Sequence, residues 1–163
     1  MTEGIRAITV RQPWARAILF YGKNIENRGS GFSKRYRGPL LIHAAGAWSE
    51  RGALDTRVRA ARNEVLVRAG GPGSLGPVPP SGVRSAIIGV VDVVDAHAAS
   101  GCCEPWGERT YTGSDGKDVL DVTHLVLERP RLLRHPVPCS GRLGLWTPPA
   151  DVLAEVTAQL GAL

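Results

Sequence analysis

Apolar positions along the chain fall into two periods, and the period changes several times between the N-terminus and residue 161. "AITV", residues 7–10, is a short apolar run of the kind that forms a buried strand. In "RQPWARAILFY", Trp14, Ala17, Ile18 and Tyr21 recur at helical spacing, and Pro13 suits the first helical position because its missing N–H would be unpaired there. Gly22 is a natural stop, since glycine takes left-handed dihedrals cheaply. "KNIENR" (23–28) reads as the next strand and "SGFSKRYRG" (30–38) as a polar, basic loop. "PLLIHAAG" (39–46) is a strand opened by Pro39, where a missing donor is tolerated. Residues 49–69 read as one helix with Leu54, Val58, Ala61 and Val65 as its apolar stripe.

"GGPGSLGPVPPSG" (70–82) is loop by composition, and "SAIIGVVDVVDAH" (85–97) carries the strongest strand signal in the chain. Residues 97–118 hold few structural signals and are expected to form an irregular insertion. "THLVLERPRLL" reads as a strand ending near Pro130, "PVPCSGRLGLW" as a turn with a last short strand, and "PPADVLAEVTAQL" (149–161 with its flanks) as a C-terminal helix. Nothing repeats internally. Strands around the middle and helices towards the ends predict an α+β fold: a small mixed β-barrel flanked by helices, formed by residues 1–163 as a single domain.

The length is enough for one buried core, and no stretch reaches the ~18 apolar residues of a membrane span. The first ten residues lack the apolar core of a secretory signal. Three cysteines, two of them adjacent, do not make a disulfide framework, so a soluble cytoplasmic protein is expected. Net charge is +5 with a sequence pI of about 9.6, which favours polyanionic partners through long-range attraction.

Charge changes the picture most at "GKNIENR". Strict strand alternation puts Asn24, Glu26 and Arg28 on one face and Lys23, Ile25 and Asn27 on the other. One reading is a solvated edge strand with a surface ion pair. The other starts from the surroundings: Gln12, Trp14, Lys23, Glu26, Arg28, Arg37 and His43 lie within about thirty residues. An aromatic plane, a carboxylate and several cations are the parts of a base-recognition pocket, which stacks the base, accepts from its exocyclic amine and holds phosphate.

The ordered series "QPWA", "GKNIENR", "RGPLLIHA", "IIGVVDVVD" and "GLW" resembles the ASCH domain (activating signal cointegrator homology) of the PUA-like superfamily, from about Ile8 to Trp146. The resemblance implies the same small β-barrel with flanking helices. It also implies a nucleic-acid cleft between the first helix and the following strand, with Lys23, Glu26 and Arg28 facing it. RNA is then a more expected partner than DNA. One branch of the family resembles amidohydrolases that deacetylate acetylated cytidine, with a lysine followed three residues later by a threonine. Lys23 matches the lysine, but Glu26 stands where the threonine would be, so the nucleophile of that motif is missing. Another relative is described as a ribonuclease, and only its lysine finds a counterpart, in Lys23. An enzyme acting on a modified nucleoside or an RNA phosphodiester, with Lys23 and Glu26 as the paired groups, is therefore the alternative to simple binding. A protein-interaction module is the third reading.

The remaining candidates each carry two readings. Trp14 is a core anchor or a stacking platform, and His43 a core histidine or a pocket group. Lys34, Arg35 and Arg37, interleaved with Tyr36, are candidate phosphate contacts. The five arginines at 51, 57, 59, 62 and 68 do not form one stripe and read as solvated flanks. Trp106 and Tyr111 sit in the insertion and either close over a ligand or, for Trp106, dock on the barrel. Asp92 is placed near the pocket and Asp95 at a turn, while Trp146 reads as core. Gly29 and Gly31 open no helix, so no nucleotide fingerprint forms. His97, Cys102 and Cys103 invite a metal, but adjacent cysteines rarely share one ion and no Cys-x-x-Cys is present. No metal and no cofactor are expected.

Overall fold

The computed structural model describes residues 4–71 and 82–163; most of the glycine- and proline-rich stretch 70–82 lies outside them. The chain runs through β1 (Arg6–Gln12), α1 (Trp14–Phe20), β2 (Ile25–Gly29), β3 (Gly38–Trp48), α2 (Glu50–Leu54), α3 (Thr56–Arg68), β4 (Ala86–Ala98), β5 (Tyr111–Thr112), β6 (Asp118–Val119), β7 (Val122–Pro138) and α4 (Ala150–Leu160). Five strands form one mixed sheet in the order β1-β3-β4-β7-β2, with β1 and β3 parallel and the other pairs antiparallel. The sheet curls into a half-barrel. The expected α+β class is therefore found, with β1 and β2 left as edge strands in the described residues.

The central strands read as continuous apolar runs because both faces are covered. Ile8, Leu40, Ile42, Val91, Leu125 and Leu127 pack with Ile18 and Leu19 of α1. Their sequence neighbours Ala7, Leu41 and Val90 point the other way and pack with Leu133, Trp146 and with Val152 and Val156 of α4. Alternation thus feeds two cores from one sheet. Helix α1 lies so close to the sheet that a Cβ on Gly89 would meet Leu19 Cδ1 at 2.6 Å and the Arg131 carbonyl at 2.7 Å.

Several boundaries differ from the sequence reading. Pro13 caps α1 rather than entering it. The helix expected over 49–69 is two helices, because Asp55 takes an extended ψ of 123° and its side chain accepts from the Arg57 and Val58 amides. Ser49 caps the first of them through Gly52 N at 3.0 Å. The expected apolar stripe is only partly used: Val58 is buried, whereas Leu54 is 66% exposed. Strand β7 does not end near Pro130 but runs on to Pro138, since register shifts against β4 and a left-handed Arg129 (φ 48°) accommodate the proline. Trp146 makes only an isolated bridge to Ala7. The insertion contains the β5–β6 hairpin.

Candidate functional site

A cleft of about 600 Å³ opens where the two edge strands approach each other. Its walls come from β1 (Thr9, Val10, Arg11), from Trp14, from Lys23 and β2 (Glu26, Asn27, Arg28), from the 45–51 segment, from the insertion (Glu108, Tyr111–Ser114) and from Arg142–Gly144.

Its base is an ion triad. Gly22 takes a φ of 76° after α1, and Lys23 N donates to Ala17 O at 3.0 Å, which turns the lysine inward before β2 begins at Ile25. Strand alternation does not govern Lys23 for that reason. Its ammonium donates to Glu26 Oε2 at 2.8 Å and also to the Ile25 carbonyl. Glu26 Oε1 lies 3.1 Å from Arg28 Nε. The pair is not a solvated strand face: Lys23 is 3% exposed and Glu26 8%. Asn24, expected on the same face as Glu26 and Arg28, is exposed and does not line the cleft, whereas Lys23, expected on the opposite face, does. Burial by itself would push the Glu26 carboxyl up, but the charges of Lys23 and Arg28 and their hydrogen bonds together hold it below the ordinary carboxylate range.

Arg28 also donates from Nη2 to the Thr9 carbonyl at 3.0 Å, so one guanidinium joins the carboxylate to the opposite edge strand. Trp14 stands beside the triad. Its ring lies 5.6 Å from Lys23 Nζ and 5.7 Å from the Arg51 guanidinium, and its Nε1 donates to Ser49 Oγ at 3.1 Å. A Cβ on Gly52 would meet that Nε1 at 2.7 Å, so the indole is wedged against α2.

The other wall is held by Glu108. Its carboxylate accepts from Arg51 at 2.8 Å and from Arg57 at 2.6 Å, and its amide donates to Asn27 Oδ1 at 3.0 Å. Asn27 Nδ2 donates to the Trp106 carbonyl at 2.9 Å, so one side chain clasps the insertion from both sides. Tyr111 sits over this wall, 6.0 Å from the Arg51 guanidinium, and partial burial raises its hydroxyl pKa. Arg51 and Arg57 are thus organised by a carboxylate rather than left as solvated flanks.

Of the candidates read from sequence, Trp14, Lys23, Glu26, Arg28 and Tyr111 share this cleft. Gln12 is buried and serves the fold, donating to Val83 O at 3.2 Å and accepting from Arg16 N at 3.0 Å. His43 is buried on β3 against Trp146, with Nε2 2.9 Å from Cys139 O, and desolvation pushes its pKa down. Trp106 docks into the core with Ala17, Ile25 and Val58. Lys34 and Arg35 are exposed outside the cleft walls, and Arg37 is paired with Asp95 at 2.7 Å. Asp92 is buried between Arg129 and Arg131 on β7, away from the cleft. Arg11, Arg51, Glu108, Arg142 and Leu143 line the cleft without having been singled out for it. For the three arginines only charge was available in the sequence, and arginine is too frequent in this chain for charge to select them; Glu108 and Leu143 carried no distinguishing pattern.

A second cluster lies under the insertion. His97 at the end of β4, Cys102 and Cys103 in the turn that follows, and His124 on β7 bring four potential ligand atoms within 4.8 Å of one another. The Cys102 thiol is held down to about 5, first by Ser100 and then by His97 and Cys103. The sequence argument against chelation weighed three of these residues and not His124.

No family model matches the chain, and no curated protein matches it. Solved structures do. An ASCH protein of Zymomonas mobilis superposes with a TM-score of 0.53 at 11% identity over 94% of each chain. Its tyrosine-to-phenylalanine variant superposes with a TM-score of 0.55, again at 11% identity, over 96% of this chain and 98% of that one. At that identity the likeness concerns the fold alone: this chain has an α+β half-barrel like that of the ASCH structures.

Proposed function

We propose that the protein binds single-stranded nucleic acid, RNA in preference to DNA, in the cleft between β1 and β2. The observation that carries this reading is the buried Glu26 carboxylate, ionised and oriented by Lys23 and Arg28 at the base of a cleft whose rim holds Arg11, Arg51 and Arg142. A fixed acceptor at the bottom suits the amine edge of an extruded base, and arginines at the rim suit the phosphates on either side. Trp14 and Tyr111 supply aromatic surface, and Leu143, 99% exposed, supplies an apolar contact. Neither Arg11 nor Arg142 makes an ion pair among the described residues, so both are available to an anion. None of the described helices is long and apolar enough to cross a membrane, and three free cysteines suit the reducing cytoplasm.

The test is a titration of a short single-stranded RNA against the protein at several salt concentrations. Affinity is expected to fall steeply with salt as counterions are released. Arg11→Ala and Arg142→Ala should each shallow the log–log slope by about one. No binding at low salt overturns the reading.

One observation favours an enzymatic version of the same site. A lysine and a glutamate in direct contact, excluded from water, are suited to proton transfer. RNA cleavage or deacylation of a modified nucleoside that disappears in Lys23→Ala, with binding retained, would establish it.

A further inference from the structure

We propose that His97, Cys102, Cys103 and His124 form a structural zinc site that fastens the insertion to the sheet. The four residues lie outside the cleft walls, and the inference does not depend on what the cleft binds.

Three of the six spacings between the ligand atoms match one ion, and all six lie within 4.8 Å. A tetrahedral zinc with Zn–S of about 2.3 Å and Zn–N of about 2.05 Å separates sulfur from nitrogen by ~3.5 Å. His97 Nε2 lies 3.4 Å from Cys102 Sγ and 3.5 Å from Cys103 Sγ. His124 Nδ1 lies 3.6 Å from Cys102 Sγ. Each value sits at the tetrahedral edge length.

The tautomers are also set. A histidine ligand usually donates from its other nitrogen to a carboxylate or a carbonyl, which fixes the ring and frees the ligating lone pair. His97 Nδ1 lies 3.1 Å from Asp95 Oδ2, leaving Nε2 towards the sulfurs. His124 Nε2 lies 2.9 Å from the Glu108 carbonyl, leaving Nδ1 towards them. Both rings therefore turn an acceptor nitrogen to the same point, and they do so through different nitrogens.

Adjacent cysteines reach that point because the backbone bends there. Cys103 takes a φ of 67°, in the left-handed region that a residue with a Cβ rarely occupies, and Gly101 takes 75°. The turn is also packed against the ligands: a Cβ on Gly107 would meet Cys103 Cβ and His124 Cε1, both at 2.8 Å. Two thiolates and two imidazoles are a soft, closed donor set, which favours zinc in a structural role over magnesium or calcium. The ion would join the end of β4, the start of β7 and the turn between them. His124 would then hold both the ion and the Glu108 main chain, whose carboxylate positions Arg51 and Arg57.

The experiment uses the full chain purified with reductant. Zinc content is measured, the metal is removed with a chelator, and cobalt(II) is titrated back. The expected result is one equivalent of metal per chain. Cobalt should give the visible bands of a tetrahedral site and a thiolate-to-metal charge-transfer band. Cys102→Ser and Cys103→Ser should each reduce the charge-transfer band by about half, as expected when one of two thiolate ligands is lost. Asp95→Asn leaves all four ligands in place and should weaken zinc binding by about 10-fold or more through the His97 ring. If chelation unfolds the protein, recovery of the native circular dichroism on adding one equivalent of zinc supports the site. Failure to recover with zinc counts against it. The proposal is overturned if folded wild-type protein gives no tetrahedral cobalt spectrum, or if that spectrum is unchanged in both serine variants.

Discussion

Arg28 Nη2 donates to the main-chain carbonyl of Thr9 at 3.0 Å, a side-chain bond between the two edge strands of the sheet. The same guanidinium contacts Glu26, so the seam and the floor of the cleft share one residue. Arg28→Ala removes both contacts and leaves the buried carboxylate with Lys23 alone. A loss of about 1.5–3 kcal/mol is expected, in the range for hydrogen bonds to charged groups. Amide exchange in β1 should accelerate around Thr9 while the β3–β4 ladder is unchanged. Uniform acceleration across the sheet would place the effect elsewhere.

Glu26 and Lys23 differ in what their removal strands. Glu26→Gln leaves Lys23 and the Arg28 head group without their anion in a buried site, and about 3–5 kcal/mol of destabilisation is expected. Lys23→Met leaves Glu26 paired with Arg28 and places an apolar chain beside Trp14. It should cost clearly less. Denaturant unfolding of the two variants measures the difference, and equal losses would argue against a triad.

Acid should weaken the fold through the same carboxylate. The folded pKa of Glu26 is below its unfolded value, so its contribution is fully present above the ordinary glutamate pKa of about 4.3. That contribution is lost as pH falls through the folded value. Wild type should therefore lose stability below about pH 4 more steeply than Glu26→Gln, which carries no such linkage. Parallel acid limbs for the two proteins would show that other carboxylates dominate.

Oligonucleotide affinity separates the cleft from the basic loop. Arg11 and Arg142 line the cleft, whereas Lys34 and Arg35 do not. Arg11→Ala combined with Arg142→Ala should lower affinity by about 10-fold or more at moderate salt, and Lys34→Ala combined with Arg35→Ala should change it little. A larger effect from the loop pair would move the binding surface off the cleft.

Freeing the opposite wall gives a different signature. Glu108→Gln releases Arg51, whereas Arg57 keeps its second carboxylate partner, Asp55, at 2.7 Å. Non-specific affinity for RNA should rise, with a slightly steeper salt dependence, because one cleft cation becomes available to phosphate. Discrimination among bases should persist, since Glu26 is untouched. A loss of discrimination would assign base reading to the insertion.

Much of the scaffold was legible because its signals are local. The continuous apolar run of β4, the helical spacing of Trp14 to Tyr21 and the turn at Gly22 all follow from neighbours in sequence. The break at Asp55 that divides the 49–69 helix was not read, because the apolar spacing continues across it and a single capping residue leaves that spacing intact. Pro130 misled for the opposite reason. A proline ends a regular strand, yet a bulge with a left-handed Arg129 keeps β7 running to Pro138.

By itself, the sequence determined the fold class, because backbone periodicity and local turns set the elements over a few residues; that Lys23, Glu26 and Arg28 face one cleft was what the family resemblance implied. The sequence could not determine that the Lys23–Glu26 pair is buried, since that depends on the Trp14 ring standing beside Lys23 and on Arg28 reaching Glu26. Nor could it assign Gln12, His43 and Trp106 to the interior, where contacts from distant segments satisfy them. Glu108 meets Arg51 and Arg57 across more than fifty residues, and His124 joins His97 and the cysteines only because β4 and β7 pair. Contacts of that kind are made by sheet register and loop closure, so only the tertiary structure decided them.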